Sequence, residues 1–358
     1  MSWNLPGLAA AASLLVIGTD VTAQTQPPEP TNPVPAQAAL TAAPQVKISN
    51  GVLTATILLP DKEKGFYRGV RFDWAGMLSS LTYGDQEYYG LWFDRIAGNV
   101  RDFIFHPTGI VASANTAALG PVDAYDPEGP PSWFEAAPGG TFLKIGVGVL
   151  RKPTDGAPYS SYAPYELVDG GTWTVTPSHD RVDFEQTVSD PASGYGYVYR
   201  KTVRLIPGKP AMEIAHSLKN IGSKPILTLS FNHNFLTFGG NPTAPGVSVS
   251  TPFDIIASRP LRDVAGISGA SLTYRRALAG KESFSTPING FGSGAGPYDV
   301  AVRNAAGAGF RAVSKTPMTS LQLWSIRSTV SAEPFVRLEA RPGETIDWSY
   351  DYSYTRGR

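Results

Sequence analysis

Apolar and polar residues alternate with a period of two through much of the chain after residue 45. Leu53, Ala55, Ile57 and Leu59 share one face of such a run. Val46 to Ser49, the Asn50-Gly51 pair and Val52 to Leu59 together predict a hairpin, because Asn-Gly fits the tight turn between antiparallel strands. The alternation recurs at Leu143, Ile145, Val147 and Val149, and again at Met212, Ile214, His216 and Leu218. It is clearest where Ile346, Trp348, Tyr350, Tyr352 and Tyr354 interleave with Thr345, Asp347, Ser349, Asp351 and Ser353. Successive side chains of a strand point to opposite faces, so each run describes a strand with one buried face. No long segment in this part has a helical period, and no composition shift marks an internal boundary. The pattern predicts an all-β chain, with one large antiparallel β-sandwich over residues 45–358.

The first 44 residues break the pattern. Gly7 to Gly18 is apolar but short for a bilayer span, and Val21-Thr22-Ala23 supplies small residues for cleavage before Gln24. Residues 1–23 are therefore expected to be an export signal, which predicts a periplasmic or secreted protein without a membrane span once the signal is removed. Residues 24–44 are rich in Pro, Ala, Thr and Gln, and are expected to form a disordered linker.

Composition narrows the chemistry. With 37 Gly and 31 Pro among 358 residues, the chain has the makeup of a turn-rich β protein. It has no cysteine, which excludes a disulfide framework, a thiol nucleophile and a zinc–thiolate site. Thirty basic residues balance thirty acidic ones, which argues against a nucleic-acid partner. The four histidines show no metal-ligand spacing. Asp123, Asp126 and Glu128 form an acidic Pro/Gly loop that has the oxygen ligands calcium takes, but a plain solvated loop is the expectation. Neither a metal nor a cofactor is expected.

The candidate chemistry centres on Ser230-Phe231-Asn232-His233-Asn234-Phe235-Leu236. On a strand, His233 shares its face with Leu227, Leu229, Phe231 and Phe235. Partial desolvation there leaves its proton affinity to its neighbours, which suits a general acid near neutral pH. His216 lies on an apolar face and is expected in the core, while His179 is expected at the surface. Arg71, Asp73 and Trp74 lie in a run dense in charge and aromatic rings. Forked donors bind hydroxyls and planar rings stack on pyranose faces, so the three are candidate sugar-binding residues.

The segment from Met212 to Gly240, with its Asn232-His233-Asn234-Phe235 motif, resembles the aldose 1-epimerase (galactose mutarotase-like) superfamily. Ser189-Asp190 and Gly194-Tyr195-Gly196 upstream are similar to a turn of that family. The resemblance implies a mutarotase-like supersandwich, a carbohydrate substrate, His233 as general acid and Asn232 beside the substrate. Near the other end, Ser331-Ala332-Glu333-Pro334-Phe335 precedes Arg341-Pro342-Gly343-Glu344 and a final strand. By the same resemblance the general base falls on Glu333, with Glu339 as the competing carboxylate. Arg95, in Trp92-Phe93-Asp94-Arg95-Ile96-Ala97-Gly98, takes the place of a substrate-contacting arginine. A family histidine preceding Gly-Gly has no counterpart here, since Gly139-Gly140 follows Ala137-Pro138, so the substrate contacts differ from those of the galactose enzymes. The implied activity is interconversion of sugar anomers. The alternatives are a polysaccharide lyase or glycosidase on the same fold, or a non-catalytic carbohydrate-binding module.

Overall fold

The computed structural model describes residues 29–358. The export signal expected over 1–23 and the start of the expected linker lie outside the described residues.

Two large antiparallel sheets carry the fold. The ten-stranded sheet contains, in spatial order, Arg181–Asp190, Tyr195–Leu205, Ala211–Asn220, Thr345–Thr355, Gly309–Met318 and Gly296–Arg303 as its long strands. The six-stranded sheet runs Ile256–Ala257, Ser283–Asn289, Ser320–Ile326, Thr329–Ala340, Ile226–His233, Val122–Tyr125. The alternation read from the sequence makes the core. In Thr345–Thr355, Trp348, Tyr350, Tyr352 and Tyr354 are buried while Asp351 and Ser353 face solvent. They pack with Val182, Phe184 and Val203 of the same sheet and with Leu321, Leu323, Val330 and Val336 of the other. The architecture is all-β, as expected.

A second apolar layer covers part of the six-stranded sheet's outer face. Phe231 and Phe235 pack there with Phe72, Trp74, Trp92 and Trp133. This layer leaves the outer face of the Ser320–Ile326 and Ser283–Asn289 strands partly bare, and that boundary forms the cleft described below.

Two expectations from the sequence are corrected. The segment expected as linker is structured from Val34: Val34–Pro35 pairs with Arg95 and Ile96, and Ala36–Ala42 is a helix with Ala36 fully buried. Its Ala-Gln-Ala-Ala-Leu-Thr-Ala sequence is made of good helix formers, and proline bias upstream hid that. The Leu143–Val149 run is not one strand but a hairpin, Thr141–Lys144 against Gly148–Arg151. Gly146 turns it with φ 73°, and a Cβ there would meet the Asp73 carboxylate at 2.5 Å.

Candidate active site

The strands Ile226–His233 and Thr329–Ala340 are antiparallel neighbours, with Phe231 opposite Phe335. Two residues further along each lie His233 and Glu333, both on the outer face and each only 5% exposed. Their nearest atoms, Nε2 and Oε1, are 3.1 Å apart. The approach lies off the hydrogen-bonding direction, so Glu333 Oε1 has no hydrogen-bond partner among the described residues. Buried polar atoms are almost always paired, so this one keeps spare hydrogen-bonding capacity at the base of a cleft. Ser331, on the same face, holds the other side of the imidazole, its Oγ 2.8 Å from Nδ1. The backbone N–H of Asn234 donates to the same hydroxyl oxygen at 2.9 Å, which fixes Ser331 in turn. Phe235 stacks on the imidazole at 3.9 Å between ring centroids, and Phe72 meets it edge-on.

Burial disfavours both charged forms. It pushes His233 well below the ordinary imidazole value, and the nearby positive charge of Arg71 adds to this. It pushes Glu333 up to about 8, against the opposing pull of Arg71 and Ser331. At neutral pH the pair therefore holds one exchangeable proton between two contiguous side chains. One member can give a proton while the other takes one.

The pair lies at the base of a cleft of ≈ 780 Å³. Arg71 leans in from the covering layer. Its guanidinium sits 4.3 Å over the Tyr162 ring and 3.7 Å from the Asp102 carboxylate, and its buried Nε has no partner among the described residues. Trp92, Phe103, Trp324 and Phe335 supply aromatic surface. Forked donors beside flat rings are what a polyhydroxylated ring needs.

Of the residues singled out in the sequence, His233, Glu333 and Arg71 come together here. The others do not. Arg95 lies in the short Arg95–Ala97 strand, paired with Pro35 and outside the cleft. Trp74 is buried and donates its indole N–H to the Gly69 carbonyl at 2.7 Å. Asp73 accepts from Lys201 at 3.0 Å and from Tyr199 at 2.8 Å inside the protein. Asn232 points the opposite way from His233, as strand alternation requires, donating to Asp123 at 3.1 Å and accepting from Tyr352 at 2.7 Å. The acidic loop also divides. Asp123 is in a strand and fully buried against Lys201 and His216, Asp126 is buried beneath the Leu229 N–H and pushed up to about 6 by that burial, and Glu128 alone lines the cleft. His216 is a core residue stacked on Trp348, and Glu339 is exposed.

Sequence reasoning passed over Ser331, Tyr162 and Lys201. Ser331 carried a signal, since it lies two residues from Glu333 and must share its face. Tyr162 carried none, because it comes from an irregular loop.

The sequence matches no protein-family profile and no curated protein. Solved structures do resemble it. A Klebsiella pneumoniae protein provisionally named an aldose 1-epimerase superposes with a TM-score of 0.50 at 14% identity, over 85% of this chain and 77% of its own. Galactose mutarotase-like proteins from Lactobacillus casei and Clostridium acetobutylicum give TM-scores of 0.49 and 0.48 at 12% and 10% identity. They cover 87% and 88% of this chain, and 100% and 96% of their own. The chain has the galactose mutarotase-like fold.

Proposed function

We propose that this protein is a carbohydrate-active enzyme that interconverts the anomers of a reducing sugar, with His233 and Glu333 as its acid–base pair. The observation that carries this reading is their meeting, 3.1 Å apart, at the base of an aromatic-lined cleft. The export signal expected at 1–23 would place the reaction outside the cytoplasm.

Ring opening needs one proton moved off the anomeric hydroxyl and one moved onto the ring oxygen. The bond from C1 to the ring oxygen breaks, its electron pair goes to that oxygen, and the C1 carbonyl forms. The aldehyde rotates, and the reverse steps on its other face give the other anomer. Since the pair shares one proton, one side chain is the donor and the other the acceptor; ring opening exchanges their roles and ring closure restores them. A positioned acid or base contributes ~10²–10⁴-fold in such steps. His233→Asn is expected to lower the rate of anomer exchange, read by exchange NMR across a panel of free sugars, by at least that margin. Unchanged exchange in a folded variant would sink the assignment.

The pH profile follows from the same proton. Glu333 titrates at about 8, so above that value the pair has no proton to give and kcat/KM falls as pH rises. His233 is held well below its ordinary range, so the acid limb falls well below neutrality. Arg71 opposes protonation at both residues, so Arg71→Ala is expected to move both limbs to higher pH. It should also lower kcat/KM about 10- to 100-fold, the worth of a lost charge-assisted hydrogen bond at ~1.5–3 kcal/mol. Arg95→Ala should leave the rate within about two-fold, as surface changes away from a site do. A larger effect at Arg95 than at Arg71 would contradict the placement of the cleft.

A further inference from the structure

The cleft continues well beyond the acid–base pair, toward the edge of the six-stranded sheet. On the His233 side it is closed by Phe72 and Phe235, both buried. On the Glu333 side the strand register lays out an uninterrupted floor. Gln322 stands directly opposite Glu333, and Pro287 directly opposite Gln322. One strand further, Ser258 and Arg259 follow Ile256–Ala257. Exposure increases along this row: Glu333 is buried, Gln322 and Ser285 are half-buried, and Asn289, Ser258 and Arg259 are exposed. Neighbouring strands are ~4.8 Å apart, so the three steps from Glu333 to the Ile256–Ala257 strand make a floor about 14 Å long. A pyranose ring is close to one strand spacing wide, so one ring at the pair leaves most of the floor uncovered. The cleft volume of ≈ 780 Å³ agrees, lying in the upper part of the ~300–1,000 Å³ range of pockets that enclose drug-sized ligands.

The floor has polar side chains with bonding capacity to spare. Gln322 donates through Nε2 to Ser285 at 2.7 Å and to the Leu323 carbonyl at 2.9 Å, which leaves its side-chain carbonyl oxygen free to accept. Arg259 touches Ser285 at 3.4 Å and has no carboxylate partner among the described residues. Trp324 flanks the row with a partly exposed ring. Amide, hydroxyl and guanidinium groups beside an indole suit a neutral polyhydroxylated chain.

We propose that the substrate is an oligosaccharide. Its reducing unit sits at His233 and Glu333, and its next units lie along the floor over Gln322 and Ser285 toward Arg259. This rests on the anomer-interconverting reading, because only that reaction puts a reducing end at the pair.

The test is a ladder of linear hexose oligomers of one to four units, in α- and β-linked series. For each, anomer exchange at the reducing end is followed by exchange NMR and affinity by shift titration. For at least one series, kcat/KM is expected to rise about 10-fold or more from one unit to three and then level, with the gain in KM. Gln322→Ala and Arg259→Ala are expected to bring the three-unit to one-unit ratio back toward one. Equal kcat/KM for one and three units in every series, or refusal of the longer chains, overturns the proposal while anomer exchange on monosaccharides still stands. Affinity that grows with length without any exchange supports the extended floor and overturns the reaction. No binding or exchange by any oligomer overturns both.

Discussion

Glu333→Gln is expected to abolish turnover and, above pH 8, to make the protein more stable than the wild type. The two effects have one cause. The carboxyl is buried, and burial raises it from its ordinary 4.5 to about 8 in the folded chain. A group raised in the fold contributes stability that is complete below its unfolded value and is lost as pH rises through its folded value. Wild-type stability should therefore fall between about pH 4.5 and 8, and stay lowered beyond. At 1.36 kcal/mol per pKa unit the loss is on the order of 5 kcal/mol. Glutamine keeps the shape and cannot ionise, so it escapes the penalty while losing the proton that the reaction moves. Urea midpoints at pH 5 and pH 9 check this: the variant's advantage should be large at pH 9 and small at pH 5. If both proteins respond alike to pH, the carboxyl is ionised in the fold throughout, and the shared proton is not there.

Lys201→Met is expected to cost the most stability. Lys201 is fully buried between Asp73 and Asp123, at 3.0 and 2.7 Å, and His216 and Asn232 complete the cluster on Asp123. Burial opposes the charge on every member. Lys201 and His216 nevertheless hold the Asp123 carboxyl well below its usual range, while burial keeps Asp73 raised. Removing one partner of a buried ion pair strands the other, at about 3–5 kcal/mol. Methionine fills the space of the lysine stem but leaves two carboxyl groups facing each other. Adding Asp123→Asn to Lys201→Met should recover part of the loss, since the stranded charge is then gone. A single variant within about 1 kcal/mol of wild type by urea unfolding would show that the cluster is neutral rather than ionic. The depressed Asp123 gives the acid side of the pH profile: its contribution is present above its unfolded value and is lost as pH falls toward the folded one.

The strands were legible because alternation is local. Tyr195, Tyr197, Tyr199, Val203 and Leu205 are all buried, and the pattern assigns them one face without knowing what they face. Lys201 falls on that same face. A lysine on a core-facing row is itself a sign of a buried ion pair, but its partners are 128 and 78 residues away, and alternation holds no information at that range. Asp73 and Trp74 were misplaced for the same reason, since charge beside aromatic rings reads as a ligand site whether it faces a cleft or the core. Asn232 shows the converse: its neighbour's candidacy was extended to it, although adjacent strand residues face opposite ways. His233 and Glu333 carried motif signals, but only their common register across two neighbouring strands brings them together. Arg95 had a motif match, and Arg71 has the position. The helix after Val34 was hidden because proline-rich flanks masked seven residues that settle onto the Arg95–Ala97 strand.

The strand Thr345–Thr355 lies in the middle of the ten-stranded sheet, paired on one edge with Ala211–Asn220 and on the other with Gly309–Met318. As the chain emerges from the ribosome, its two flanking halves are made first and have no shared edge until residues 345–355 arrive. Each half then presents a long open strand edge, the kind of surface that pairs with other copies. Long-range pairing of this sort also makes folding slow. This aromatic row, synthesised after both of its neighbours, thus acts as a keystone, and the interval before it locks into place is when nascent chains are most exposed to aggregation.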